Sequence, residues 1–305
     1  MNILGKRYTF FIGSLVLIVT GLLALFAKGG LPLSIDFTGG SLLEVSIDSS
    51  TVEPADILAV YDDAGIQDAQ VQTTETGTFI IRSEFLQDDS RDAVLQNMES
   101  QLGAVTVQRF DSVGPSIGEQ VTSRATLAVI VSSLLVVGFI AWSFRGIQNA
   151  FRYGMCAILA MIHDVAIIFA ITGFGSLFFD WEIDSLFLTA LLTVIGFSMQ
   201  DTIVVFDRIR ENANLYRRLD FETLVNHSIV QTLQRSINTQ LMTVEFMLLA
   251  LAMFGGVTLR EFAIVLLVGL MSGTYSSIFI AAPILVVWEK KEWRNWFGRN
   301  KEAAA

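Results

Sequence analysis

Residues 195–212 read IGFSMQDTIVVFDRIREN, an apolar run that carries Asp201 inside it and then breaks into charge from Asp207 onward. An aspartate near the middle of a membrane helix costs about 2.5–3.5 kcal/mol on insertion scales, so such an acid turns toward a bundle interior or a water-filled path. Ser198 lies three residues before Asp201 and Thr202 one after, and the helical period brings all three within roughly 100° of one face. The stretch therefore predicts a membrane helix with one polar face, and an α-helical membrane protein in which Asp201 is the leading functional residue.

The composition of the chain agrees. Of its 305 residues 52% are hydrophobic and 16% charged, too apolar for an ordinary soluble domain. The formal net charge of −10 is unevenly spread: residues 36–119 hold 16 acids and 3 Lys or Arg, against 14 acids and 17 basic residues elsewhere. One acidic, soluble segment is thus inserted into a mildly basic, apolar chain. The single cysteine, Cys156, lies in an apolar run, which excludes an intrachain disulfide and metal clusters built on paired cysteines. Walker A, GxSxG, HExxH and EF-hand signatures are absent from the sequence. Neither an ATP motor nor a familiar hydrolase is encoded, so the chain is not expected to be an enzyme, and no cofactor, metal or nucleic-acid partner is expected. Work would have to draw on an ion gradient, in which a charge moved through 100 mV is worth about 2.3 kcal/mol.

In chain order, Lys6 and Arg7 precede the apolar run Phe10–Ala27, long enough for a hydrocarbon core of about 30 Å and read as a retained anchor. Residues 33–119 then predict a small α+β domain of strand, helix, strand, strand, helix, strand. Its pieces are Leu33–Ile47 with a bend at Gly39-Gly40, Pro54–Ala64, Ala69–Thr74, Thr78–Ser83, Asp88–Leu102 and Ala104–Phe110, with a turn at Glu75–Gly77. That order is the ferredoxin-like βαββαβ arrangement, which by itself identifies no function. Five further spans are expected at Ala125–Phe144, Phe151–Phe174, Ser185–Phe206, Ile237–Phe254 and Phe262–Val287, six in all. The expected organisation is residues 1–32 as N-terminus and first span, 33–119 as the external domain, 120–290 as a five-helix bundle and 291–305 as a tail. Thirteen Lys and Arg sit at the N-terminus, at Arg145 and Arg152, in Arg208–Arg218 and in the tail, whereas loops Phe179–Asp184 and Gly255–Glu261 carry acids and only Arg260. The positive-inside rule then places both termini in the cytoplasm and residues 33–119 outside.

Arg235, in the run TLQRSINT, is the natural partner for Asp201, and Asn238 and Thr239 follow it at i+3 and i+4 on one helix side. Burial and a neighbouring guanidinium act on such an acid in opposite directions, so small movements would load or unload a proton; a static ion pair joining two helices is the alternative. His163-Asp164, in the middle of the third span, is a second ionisable site, either a relay or a set of hydrogen bonds between helices. Glu245 is a third acid, read as a contact to another subunit. Gly269, Ser272, Gly273 and Ser276 put small residues along the sixth span and are read as packing, and Pro283 as a kink. Asp220–Gln234, with Leu224, Val225, Ile229 and Leu233, is expected to lie along the membrane surface. Arg208, Arg210, Arg217 and Arg218 are read as topology and headgroup contacts.

These residues resemble the SecF family, the smaller partners of SecD in bacterial protein export, within the resistance-nodulation-division superfamily. The motifs are IDFTGG at Ile35–Gly40, VGPSIGE at Val113–Glu119, HD at His163-Asp164, DTIVVFDRIREN at Asp201–Asn212, QTLQR at Gln231–Arg235, NT at Asn238-Thr239, FGG at Phe254–Gly256 and GTYSSIFIAAP at Gly273–Pro283. They cover essentially the whole chain in order. The resemblance implies a multi-pass protein of the bacterial cytoplasmic (inner) membrane with residues 33–119 in the periplasm. It would pair with a SecD-like subunit, join the SecY channel and accessory proteins, and use the proton-motive force to assist preprotein translocation across the bilayer. It assigns proton coupling to Asp201 and Arg235, to which Asp164 is added as a third residue, with Ser198, Thr202, His163, Asn238 and Thr239 as a supporting polar track. Met199-Gln200 departs from the Ile-Asn usual before the aspartate, and Glu245 stands at a place usually apolar. Two alternatives are a membrane-anchored scaffold or sensor whose buried charges are structural, and half of a proton-driven small-molecule exporter.

Overall fold

A computed structural model describes residues 3–27, 29–48, 52–74, 77–145, 149–240, 246–254 and 257–293. The chain divides into two compact units, Leu33–Leu127 and a second made of Met1–Pro32 with Ala128–Ala305.

The smaller unit starts with a helical turn, α2 (Ile35–Thr38), where the sequence predicts strand. Ser34 caps it by accepting the Asp36 N–H at 3.3 Å, and Gly39 (φ 74°) ends it in a conformation that a side chain would strain. Strand pairing therefore begins only at β1 (Gly40–Ile47), and the expected bend at Gly39-Gly40 is the junction between turn and strand. There follow α3 (Pro54–Asp63), β2 (Gln70–Thr73), β3 (Phe79–Ser83), α4 (Asp88–Leu102) and β4 (Val105–Val113). The sheet has the order β2-β3-β1-β4, and every neighbouring pair is antiparallel. Alternation along β1 buries Leu43, Val45 and Ile47 on the face that also takes Ile57, Val60 and Tyr61 of α3, Val94 and Met98 of α4, and Phe79 and Ile81 of β3. Thr74 and Thr78 close the β2–β3 turn, N–H to carbonyl at 2.8 Å; residues 75–76 of the expected turn lie outside the described residues.

The long helix α5 (Pro115–Ser143) opens ten residues before the expected span, because Pro115 suits a first helical turn. Residue 119, the expected end of the domain, therefore falls inside a helix. Only 6% of its most apolar window is buried within the chain, against 61% for the span Leu259–Glu289, so α5 turns its apolar surface outward and the last span is central.

The larger unit holds α1 (Arg7–Ala27), α6 (Ala150–Phe179), α7 (Ser185–Leu215), α8 (Phe221–Gln240), α9 (Phe246–Phe254), α10 (Val257–Ser276) and α11 (Ala282–Glu289). Among the described residues five helices are long and apolar enough to cross a membrane: Leu4–Ala27, Pro115–Ser143, Ala150–Phe179, Ser185–Leu215 and Leu259–Glu289. Of the fifth expected span, Ile237–Phe254, the first residues close α8, residues 241–245 with Glu245 lie outside the described residues, and the rest is the nine-residue α9. The helix expected along the membrane surface runs on to Gln240, and it buries Leu224, Val225 and Ile229 in the bundle against α7 and α11.

Small residues set the helix spacings. A Cβ on Gly173 would stand 2.2 Å from the Gly21 carbonyl oxygen, so α1 and α6 meet backbone to backbone. A Cβ on Gly269 would stand 2.5 Å from Val194 Cγ2, and one on Gly273 3.0 Å from Ser198 Cβ, so α10 lies equally close to α7. Between α10 and α11, Ser277–Ala281 form a π-helical turn. Pro283 has no N–H for the Phe279 carbonyl four residues back, and the wider turn takes up that mismatch where the sequence predicts a kink. At one end of the unit Arg7 bridges Glu222 (2.9 Å) and Glu292 (2.6 Å), and Lys290 reaches Glu222 at 2.5 Å. This network ties the starts of α1 and α8 to the end of α11.

Candidate functional site

Among the described residues two carboxylates lie inside the bundle, each held by serine hydroxyls. Asp164 on α6 is 1% exposed. Its Oδ2 accepts from Ser198 on α7 and from Ser276 at 2.6 Å; its Oδ1 accepts from Ser272 at 2.7 Å and lies 3.0 Å from His163 Nδ1. Asp201 on α7 is 9% exposed. Its Oδ1 accepts from Ser236 of α8 and its Oδ2 from Ser277 of the π turn, both at 2.6 Å. A hydrogen bond to an ionised acceptor contributes about 1.5–3 kcal/mol, so two offset the about 2.5–3.5 kcal/mol of placing an acid at this depth. The close approach of α10 to α7 at Gly269 and Gly273 is what brings Ser272 and Ser276 within reach of α6.

Among the residues singled out from sequence, Ser198, His163 and Asp164 come together, and Ser198 serves Asp164 instead of Asp201. Thr202 is fully buried one residue beyond Asp201; its Oγ1 and His163 Nε2 have no hydrogen-bond partner among the described residues. The His163 ring stacks on Tyr275 at 6.1 Å between centroids. Arg235 departs from the expected arrangement. Among the described residues no ion pair joins it to Asp201, and its side is exposed together with Asn238 and Thr239. One residue along a helix is a rotation of about 100°, so with Ser236 turned inward to Asp201, Arg235 must turn out. Its charge acts on Asp201 only through space.

Ser236 and Ser277 were not singled out from sequence, and Ser272 and Ser276 were read as packing. Their signal was the period. Ser228, Thr232, Ser236 and Gln240 form a buried stripe at intervals of four along α8, and Ser272 and Ser276 repeat that interval on α10.

A bundle of membrane-length helices with acids buried in its interior, in a chain that also carries a small α+β unit, defines a multi-pass membrane protein. Residues 93–291 match the family described as protein export membrane protein SecD/SecF, C-terminal, and residues 24–51 match the SecD/SecF GG motif. The chain is 63% identical to the protein translocase subunit SecF of Anaerolinea thermophila over 100% of its own length and 99% of the relative's, and 42% identical to that of Thermobaculum terrenum over 100% and 99%. A crystal structure of SecDF, a translocon-associated membrane protein from Thermus thermophilus, matches with a TM-score of 0.80 at 34% identity, over 95% of this chain and 39% of that one. A second structure, SecDF in a super-membrane-facing form, matches with a TM-score of 0.67 at 34% identity, over 97% and 40%. The chain thus spans about two fifths of the length of those SecDF chains. It belongs to the SecD/SecF family of protein-export membrane proteins, and its relatives at full length are SecF subunits.

Proposed function

We propose that this chain is an accessory subunit of the protein translocase which, paired with a SecD-like subunit, uses the proton-motive force to assist preprotein translocation across the bacterial cytoplasmic membrane. The observation that carries the proposal is Asp201, buried on α7 between Ser236 and Ser277, with Arg235 one residue before Ser236 on an exposed face. Asp201 takes and releases the proton, Arg235 answers the change of charge, and Asp164 holds α6, α7 and α10 together around them. The exposed side of α8 with Arg235, Asn238 and Thr239 is where a second subunit would complete the site. The SecDF chains that match here over about two fifths of their length support a SecD-like partner.

In the same proposal Ile237–Phe254 forms a sixth span, both termini are cytoplasmic, and residues 33–119 are a periplasmic ferredoxin-like domain, in keeping with the sheet order β2-β3-β1-β4. Residues 1–32, 120–290 and 291–305 are the first span, the five-helix bundle and the cytoplasmic tail, and the SecY channel and the emerging preprotein are the further partners. The test is proton flux and preprotein export in vesicles holding this chain with its SecD-like partner. Asp201→Asn and Arg235→Met are expected to abolish the gradient-dependent part of both; if neither changes either one, the buried charges are structural and the protein is a scaffold.

A further inference from the structure

Ser277 touches Asp201, but it has a second acceptor in reach. Its Oγ lies 2.6 Å from Asp201 Oδ2 and 3.0 Å from the Thr274 carbonyl oxygen of its own helix. A serine carries one hydroxyl hydrogen and two lone pairs, so this hydroxyl has two places to donate and is free to accept. Ser236, on the other oxygen of Asp201, has Asp201 Oδ1 as its one side-chain hydrogen-bond partner among the described residues.

We propose that Ser277 is a positioning residue that serves Asp201 in both of its protonation states, by turning its hydroxyl between Asp201 Oδ2 and the Thr274 carbonyl. With Asp201 ionised, Ser277 donates to Oδ2. When a proton arrives, an O–H bond forms at Oδ2, the Ser277 hydrogen swings to the Thr274 carbonyl, and the new carboxyl O–H donates to Ser277 Oγ. No covalent bond breaks, and each polar atom keeps a partner. The loaded proton is favoured on Oδ2 because there it gains an acceptor, Ser277 Oγ, whose own hydrogen turns to the Thr274 carbonyl; Ser236 has no second acceptor among the described residues, so its hydroxyl stays a donor to Oδ1. Asp164 is built differently. Its oxygens take Ser198, Ser272, Ser276 and His163, and of the three serines only Ser276, 3.1 Å from the Gly273 carbonyl, has a second place to donate. Three serine donors and His163 crowd the four acceptor sites of the Asp164 carboxylate, so a proton added there must displace a partner, whereas Asp201 accepts two hydrogen bonds and keeps room for a proton; the fold thus separates a carboxyl fitted for loading from one fitted for anchoring.

The titratable or charged groups that the elements packed on α7 bring near this depth are Arg235 on α8, His163 and Asp164 on α6 and Tyr275 on α10; the π turn brings none. At other turns of the same elements lie Arg152, Tyr153 and Cys156 on α6, Glu222 and His227 on α8, and Arg260 and Glu261 on α10. None of these donates to or accepts from Asp201 among the described residues.

The inference rests on Asp201 being the proton carrier, and the experiment separates the two. The complex of this chain with its SecD-like partner is studied by difference infrared spectroscopy on acidification, with flux measured in parallel. Asp201→Asn is expected to remove the O–H stretching band of a protonated carboxyl together with the flux. Ser277→Ala is expected to move that band to higher frequency, since the carboxyl O–H loses its acceptor, and to lower flux about tenfold, roughly the factor that one lost hydrogen bond represents. Ser277→Thr keeps a hydroxyl and restores both, and Ser236→Ala leaves the band where it was. If Ser277→Ala does not assemble, Ser277→Cys, a weaker acceptor, is expected to move the band the same way. A band lost in Asp201→Asn but unmoved by the Ser277 variants, or moved as much by Ser236→Ala, overturns the inference and leaves Asp201 as carrier. Flux and bands unchanged in Asp201→Asn overturn the function on which the inference stands.

Discussion

Ser276 and Ser277 are neighbours in the chain, yet their hydroxyls reach carboxylates on different helices, Ser276 to Asp164 on α6 and Ser277 to Asp201 on α7, each at 2.6 Å. The change from α to π winding falls between them. Two successive residues of one helical segment therefore touch both of these buried carboxylates.

The acids differ in what their loss strands. Among the described residues Asp164→Ala leaves Ser198 and Ser272 without their acceptor, while Ser276 keeps the Gly273 carbonyl; Asp201→Ala strands Ser236 alone, because Ser277 keeps the Thr274 carbonyl. At about 1–3 kcal/mol per stranded buried hydroxyl, Asp164→Ala is the more destabilising change by about that amount. Thermal unfolding of the full chain in detergent, run on both variants, is the check, and equal losses would count against it.

Gly173→Val is expected to separate α1 from α6, since even a Cβ at this position stands 2.2 Å from the Gly21 carbonyl oxygen and backbone cannot yield as a side chain does. Proteolysis of the full chain in detergent should show faster cleavage near the end of α6 and a fall in thermal stability. Gly154→Ala, where the nearest atom is Ile140 Cγ2 at 3.6 Å, should show neither.

The hydrogen bond from Lys290, and after it that from Arg7, holds the Glu222 carboxyl below its usual range. A carboxyl lowered in the folded state contributes stability that is complete above its unfolded value and is lost as pH falls through the lowered one. Stability of the chain in detergent should therefore decline on acidification through and below the ordinary glutamate range. Glu222→Gln should flatten that decline while leaving the bundle assembled. Added salt should weaken the effect, because the pairs are partly exposed.

Tyr61, in the sheet-bearing unit, is fully buried, and its hydroxyl has no hydrogen-bond partner among the described residues. Burial pushes its ionisation well above the usual phenol value, so it stays neutral at any physiological pH. Tyr61→Phe removes an unsatisfied polar atom at nearly constant shape. It is expected to be neutral or stabilising by up to about 1 kcal/mol, read as unchanged or slower hydrogen exchange in β1 and β3 of the full chain. Faster exchange there would show that the hydroxyl has a function.

Much of the architecture follows from sequence alone. The lengths of the apolar runs decide which helices are able to cross a membrane, since about 20 residues are needed whatever they pack against. The alternation in Leu43, Val45 and Ile47 marks the buried face of a strand, and Pro54 and Asp88 mark helix starts, because each of these signals is local. The inward orientation of Asp164 and Asp201 is likewise dictated by the cost of setting an acid against lipid. What only the tertiary structure decided is who meets whom. Helical period tells which residues share a face of one helix, but not which neighbour that face meets or how closely it approaches. Arg235 and Ser236 are adjacent in sequence, and it took the position of α7 to show that the serine turns in to Asp201 and the arginine out. Ser277 reaches Asp201 because Pro283, six residues on, removes a hydrogen-bond donor and widens a helical turn, and a turn of that kind is stable only where neighbouring helices hold it in place.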